Sequence, residues 1–565
     1  MIHYSIQQDG DDATLLTNLH GKALLSIAQL NKGTAFSKQE RELFGLIGKL
    51  PARIETLDEQ VDRAYQQYCN YQKLENKNTY LNHLLDTNQT LFYKLVSQHL
   101  QEMLPTLYTP IVGTTVTHYH QRFMTPRGLY IAHTDQDQIE TILDNRTNSE
   151  IKLIVVSDGE SVLGIGDQGV GAMAIPVAKL MVYTLCGSIN PNHTLPILLD
   201  AGTNNPTLLQ DPLYLGLREN RINGEKYHQF IEKFISAIRA KFPNVFLHWE
   251  DFGAQNAHYN LKAYKNQLCS FNDDIQGTGI VALAAVLSAG KITNTPLKKQ
   301  RFVVYGGGAA GIGVSQAIYQ ALIEQGISPT DAKQQFWIID RFGLITNLCT
   351  QTTDAQQFFA KSHTDVSEWT IDDPEHITLQ EVIDHVAPTV LIGTSAQAAA
   401  FNETIIRTLT QQTERPVVLP LSNPTRCAEA TPTDIINWSN NQALIATGSP
   451  FDPVCYQGQQ ISIAQCNNFQ AFPGLGLGVT SAKAKQISTG MLLAASEALA
   501  EYAVKNGGKL LPDIGQCKAA AKHIAQCVAA KAIEEGHSDL PPTTDIHCLI
   551  EKNLWDPHYI KYRKI

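Results

Sequence analysis

Between residues 301 and 326 the chain passes from a short apolar run, RFVVY, through three glycines into GIGVSQAIYQALIEQG, a helical pattern. Strand, glycines, then helix is the feature that most restricts how this chain folds. Gly306, Gly308 and Gly311 stand in G-x-G-x-x-G spacing, with Gly313 beyond them. The first glycine of such a set makes the tight turn, the second admits a pyrophosphate close to the backbone, and the third lets helix pack on strand. The unpaired N–H groups at the helix start then face the phosphates. FWIID closes the next strand on Asp340. Its carboxylate would accept from adenosine ribose hydroxyls and repel a 2′-phosphate, which favours NAD over NADP. Asp340 lies farther from the glycines than the usual ~20 residues, so the intervening segment must be long. Arg341, its neighbour, is the residue that would instead hold a 2′-phosphate.

The same rhythm extends to both sides. IKLIVVS (151–157), LPILLD (195–200), NVFLHWED (244–251), TVLIGTS (389–395), VVLPLSN (417–423) and ALIATG (443–448) are short apolar runs entered through polar or helical sequence. Such runs suit the buried strands of a parallel sheet. Residues 38–101 instead space apolar side chains three and four apart, as helices do. The first 20 residues are polar and weakly patterned, and read as a loosely held arm. The expected class is α/β: a helical N-terminal region, an α/β domain, and a Rossmann-like parallel-sheet domain for NAD. The expected boundaries are 1–105, 106–275, 276–535 and a tail at 536–565.

With 565 residues, 17% of them charged and a net charge of -10, no basic stripe supports nucleic-acid binding. No run approaches 18 uninterrupted apolar residues, so no membrane span is expected. The start, MIHYSIQQDGDD, lacks the pattern of a signal peptide. None of the ten cysteines forms a CxxC pair, which favours reduced, mostly buried thiols over a disulfide framework or zinc site. A cytoplasmic location is the expectation.

Two acidic pairs end strand-like runs, Glu250-Asp251 and Asp273-Asp274. Ligands of open α/β sheets collect at the carboxyl ends of strands. Four acids gathered there repel unless a cation neutralises them, and oxygen-only ligands point to Mg²⁺ or Mn²⁺. Neighbours on an extended strand face opposite ways, so one member of a pair can hold metal while the other addresses another group. Lys179 interrupts the apolar helical segment GAMAIPVAKLMVYTL. It either snorkels to the surface or works as a base of lowered pKa. Tyr108, in LPTLYTP, reads on its own as a packing residue with its hydroxyl at the surface.

Together these residues resemble the malic enzymes, in the large-subunit group that includes bacterial NAD-dependent members. The likeness runs through LNKGTAFS (30–37), LFYKLV (91–96), LYTPIVG (107–113), LGIGDQG (163–169), LDAGTNN (199–205) and WEDFG (249–253). It continues through FNDDIQGTG (271–279), LSNPT (421–425), ATGSPF (446–451), QCNN (465–468) and FPGLGLG (472–478). The resemblance implies Tyr108 as general acid, Lys179 as general base and Asp273 as the carboxylate that tunes the lysine. It implies Glu250, Asp251 and Asp274 as ligands of Mg²⁺ or Mn²⁺. Asn423, Asn467 and Asn468 would meet the substrate carboxylate or the nicotinamide end. The implied reaction is oxidative decarboxylation of (S)-malate with NAD, in a homodimer or homotetramer.

Two positions depart from the family pattern. Members usually carry an arginine after the Gly-Glu that precedes LGxGD; here Asp158-Gly159-Glu160 is followed by Ser161. A hydroxyl does not reproduce the charge and fork of a guanidinium. Malolactic enzymes, close relatives that return the hydride and release lactate, also lack that arginine. LHWEDFG, NDDIQGTGIV and LDAGTNN resemble theirs, whereas LYTP and GDQG resemble the ordinary malic enzymes. Thr87 stands where some relatives carry an arginine for a fumarate activator, so that regulation is not carried over.

Overall fold

Runs rich in Val, Ile and Leu, buried on both faces, form the strands, and their order along the chain decides which sheet each joins. The computed structural model describes residues 4–9, 12–162 and 164–565. The first three residues of the expected arm, residues 10 and 11, and Leu163 of the LGIGDQG string lie outside the described residues. The arm itself is a correction. It folds as an antiparallel hairpin of β1 (Tyr4–Asp9) and β2 (Asp12–Thr17). Helices Leu57–Cys69, Leu74–Thr87 and Gln89–Gln98 follow, as the apolar spacing predicts. Thr56 and Glu59 cap the first of them reciprocally.

Five strands then build the first large sheet: β3 (Leu129–Ala132), β4 (Leu153–Ser157), β5 (Thr194–Asp200), β6 (Phe246–Glu250) and β7 (Ser270–Asn272). All pair parallel in the order β3-β5-β4-β6-β7. Alternation along β4 explains the covering helices. Leu153 and Val155 join one core with the helix Ala174–Gly187, while Ile154 and Val156 join another with Gly224–Lys241. Both faces are therefore covered, as a parallel sheet requires.

The second sheet uses β8 (Phe302–Tyr305), β9 (Phe336–Asp340), β10 (Gly343–Leu344), β11 (Val390–Gly393), β12 (Val417–Pro420) and β13 (Leu444–Thr447). After a hairpin of β14 (Val454–Tyr456) and β15 (Gln459–Ile461), β16 (Ala464–Gln465) completes it. The order is β10-β9-β8-β11-β12-β13-β16, parallel except for β10. From β8 the chain goes first to one side and then to the other, so the order reverses there. The glycine loop leaves β8 at that switch point, where open α/β sheets take their ligands.

One apolar core spans both sheets, joining Val155 and Phe246 of the first to Val304 and Ile392 of the second. The stretches Gly169–Gly187 and Asp273–Thr293 are long and apolar enough to cross a membrane, yet lie largely buried within the protein, as core helices do. The last strand, β17 (Lys561–Lys564), pairs parallel with β2. Tyr562 packs edge-on against Phe36 and Phe44 at ring separations of 5.8 and 6.2 Å. The ten cysteines are free thiols, four buried, four partly buried and two exposed.

Candidate active site

The acids meet where β6 and β7 end. Glu250 is the last residue of β6, and Asp251 follows with a left-handed φ of 58°, which turns the chain sharply. After β7, Asp273 and Asp274 open a wide helical turn, Asp273–Gly277, rather than continuing an extended strand. They nevertheless diverge. Asp273 accepts a hydrogen bond from Lys179, while Asp274 accepts from the backbone N–H of Asp251 at 3.0 Å.

Lys179 does not reach solvent. It is 3% exposed, on the helix Ala174–Gly187, with Nζ 3.0 Å from Glu250 Oε1. The same ammonium lies 4.8 Å from the ring of Phe472 and 5.6 Å from that of Tyr108. Tyr108 is buried too, so its hydroxyl is not the surface group that LPTLYTP suggests. Burial pushes that hydroxyl far above its ordinary pKa, with the Lys179 charge opposing. For Lys179, burial acts to lower the pKa, but the charges of Asp273 and Glu250, with Tyr108, outweigh it and hold the ammonium well above the usual range.

Glu250, Asp251 and Asp274 each bring a carboxylate oxygen within 4.8 Å of the others. Burial, with Asp273 adding and Lys179 opposing, pushes Glu250 up to about 7. Burial and the charges of Glu250 and Asp273 push Asp274 up to about 8. Carboxylates crowded in this way favour a cation, and an all-oxygen donor set suits Mg²⁺ or Mn²⁺. These residues fit a divalent ion. His248, Glu250 and Asp273 form a second such group, but there the ammonium of Lys179 already sits between the two acids.

At the glycine loop, Gly306 has φ 111°, and a Cβ there would come within 2.6 Å of the Thr394 carbonyl carbon. Gly308 caps the helix Ala309–Glu324, and Gly311 lies in its first turn. Gly313 lets this helix approach the acid cluster: a Cβ there would lie 2.6 Å from the carbonyl oxygen of Ile275, the residue after Asp274. Asp340 ends β9 and accepts from Gln356 Nε2 at 2.8 Å; the same amide donates to Gly307 O at 2.9 Å. An additional helix, Pro329–Gln334, accounts for the long spacing between glycines and acid. The Arg341 guanidinium lies 4.7 Å over the Phe342 ring.

Asn468 Nδ2 donates to Asp273 at both its carbonyl oxygen (3.0 Å) and Oδ2 (2.9 Å), so this amide serves the lysine's partner. Asn467 begins the following short helix, its Oδ1 accepting from Phe469 N at 3.3 Å. Asn423 follows β12 and accepts from Ser449 Oγ at 2.5 Å; the Gly164 loop of the first sheet abuts it and Pro424. Ser161 donates its N–H to Asp251 O at 3.0 Å, so the departing position borders the acid cluster.

Three buried polar residues around the site carry no clear mark in the sequence. Buried Arg221 forks onto Asp167 at 2.7 and 2.8 Å and donates to Asp158 O at 2.9 Å, bracing the glycine-punctuated loop. Wholly buried Glu429 accepts from Ser395 N at 2.8 Å and Oγ at 2.9 Å and from Ser422 Oγ, tying together the loops after β11 and β12. His248 donates to Glu250 Oε2 at 2.8 Å. Only His248 had a visible signal: it stands two residues before Glu250 on a strand, hence on the same face.

Two parallel sheets, one ending in a glycine loop at its switch point and the other in a cation-seeking acid cluster, define an α/β protein of nucleotide-dependent type. Known proteins narrow the class. Residues 275–533 match the family model described as malic enzyme, NAD binding domain, and residues 85–265 that described as malic enzyme, N-terminal domain. The chain is 45% identical over 548 residues to the NAD-dependent malic enzyme of Shewanella woodyi, covering 96% of this chain and 97% of that one. It is 45% identical over 547 residues to the NAD-dependent malic enzyme of Aliivibrio fischeri, with the same coverage. The crystal structure of Entamoeba histolytica malic enzyme shares the fold at a TM-score of 0.55 and 20% identity, covering 91% of each chain. That of Pyrococcus horikoshii malic enzyme does so at 0.53 and 20%, covering 80% of this chain and 88% of the other. The chain belongs to the malic enzyme family.

Proposed function

We propose that the chain converts (S)-malate to pyruvate and CO₂ while reducing NAD, with a Rossmann-like second sheet carrying the nucleotide. The observation that carries this reading is Lys179, sealed between Asp273 and Glu250 and facing the ring of Tyr108. Mg²⁺ or Mn²⁺, held by Glu250, Asp251 and Asp274, would supply polarisation of the substrate carbonyl and cancel negative charge that otherwise keeps Lys179 protonated. NAD supplies the hydride acceptor. Nζ of Lys179 takes the proton of the malate C2 hydroxyl, and Asp273, fixed by Asn468, orients that nitrogen. The buried Tyr108 hydroxyl keeps its proton at neutral pH and delivers it to C3 after CO₂ departs. Asp340 beside the glycine loop supports NAD over NADP; a measured preference for NADP would overturn that role.

Ser161 supports a second reading, a malolactic enzyme that retains NADH and pyruvate and releases lactate. One assay separates the two. With malate, NAD and Mn²⁺, stoichiometric NADH and pyruvate support the first, and lactate without NADH accumulation supports the second. Tyr108→Phe tests the acid: decarboxylation should fall by about 10²-fold or more while oxaloacetate reduction is largely kept. Equal loss in both assays rules that role out.

A further inference from the structure

Both oxygens of Glu250 are gripped by one helix. Lys179 meets Oε1 directly at 3.0 Å. Tyr183, one helical turn further along Ala174–Gly187, meets Oε2 through an intermediary: its hydroxyl bonds His248 Nδ1 at 2.8 Å, and His248 Nε2 bonds Oε2 at 2.8 Å. Ionised, as a cation ligand must be, Glu250 only accepts, so Nε2 then carries the ring proton and Nδ1 accepts from the Tyr183 hydroxyl. His248 and Tyr183 are both wholly buried. The imidazole is walled by Phe271 and Phe472, at ring separations of 5.4 and 5.8 Å. Breaking either bond would strand a buried polar group.

We propose that His248, held by Tyr183, is a positioning residue that sets the plane of the Glu250 carboxylate so that its remaining lone pairs face Asp251 and Asp274. The inference rests on the cation-site reading above and adds to it the device that orients one ligand. Partners of this kind hold a metal ligand in one orientation, and losing them typically weakens metal affinity by about 10–100-fold.

The test is Mn²⁺ affinity of the full-length protein without substrate or nucleotide, read from the electron paramagnetic resonance signal of free Mn²⁺. Thermal midpoints in chelator report folding, and Asp274→Asn is the control that removes a ligand. His248→Leu should bind Mn²⁺ about 10–100-fold more weakly than the natural protein. His248→Gln, whose amide can still donate to Glu250, should stay close to the natural affinity. Natural affinity in His248→Leu, or equal weakening in both variants, overturns the proposal. Should His248→Leu not fold, Tyr183→Phe decides: weakened binding supports the proposal and unchanged binding overturns it. If the natural protein itself takes up no Mn²⁺, the cation reading fails and this inference with it.

Discussion

Lys179 and Lys361 are both buried, one on a helix covering the five-stranded sheet and one beside the β10 edge of the seven-stranded sheet, and their surroundings push them in opposite directions. Lys179 meets Asp273 and Glu250, whose charges outweigh the penalty of burial. Lys361 donates to the carbonyl and the side-chain oxygen of Gln334 at 2.8 and 3.1 Å and lies 4.0 Å over the Trp337 ring. Burial there lowers its pKa to about 8, with Asp365 opposing. A buried ammonium therefore does not mark a site by itself; the partners decide. The contrast extends to the regions around them. The five-stranded sheet ends in opposed charges held by side chains, whereas the glycine-loop end of the seven-stranded sheet is shaped mainly by backbone.

If the two ends are separable, damage to one should spare the other. The largest effect is expected from Lys179→Met, which should cut kcat by about 10²–10⁴-fold, the range for a positioned proton-transfer group. NADH binding, read by fluorescence, should be unchanged. A variant that lost NADH binding to the same degree would break the separation. Some loss of stability is expected as well, since Asp273 and Glu250 would be left without their buried cation.

Smaller effects follow at the glycines. Gly306→Val places a Cβ against the Thr394–Ser395 peptide. Overpacking of this kind costs about 1–3 kcal/mol of stability, and whatever part of it displaces the loop should appear as weaker NADH binding, by up to roughly 150-fold, with Mn²⁺ binding retained. Gly313→Val is the exception that sharpens the comparison. Its Cβ would press on Ile275 O, next to Asp274, so NADH and Mn²⁺ affinity should fall together. Separate titrations of each ligand check both variants, and an intact Mn²⁺ site in Gly313→Val would show that the turn yields without consequence.

What the sequence made legible follows the same division. Backbone-built features carry local signatures, so the glycine loop, Asp340 and the strands of the two parallel sheets stand out as short patterns. The acids and Lys179 stand out as charges in apolar company, but which of them touch depends on how β6, β7 and the helix Ala174–Gly187 come together. Asn468 illustrates the limit: its place beside Asn467 gives no hint that its amide turns to Asp273. The small terminal sheet was invisible for a different reason. β2 pairs with β17 across almost the whole chain, and neither strand carries a long apolar alternation. Arg221 and Glu429 are polar residues in polar stretches, and only tertiary contact buries them and gives them their partners.

An effect on stability alone tests the opening contrast without touching catalysis. Lys361 titrates at about 8 in the folded protein against 10.5 for an unperturbed lysine. Below pH 8 it is protonated in both states, so its contribution does not vary with pH. Between pH 8 and 10.5 the unfolded chain still binds the proton that the folded chain has released, so stability rises with pH. Lys361→Met removes that term, and the other titrating groups largely cancel when variant and natural protein are compared at the same pH. From pH 7.5 to 9.5 the stability difference should shift toward the natural protein by on the order of 2 kcal/mol, read by urea unfolding. No shift would mean that Gln334 and the Trp337 ring compensate the buried charge as fully as Asp273 and Glu250 do for Lys179. In that case the contrast between the two lysines is one of position alone.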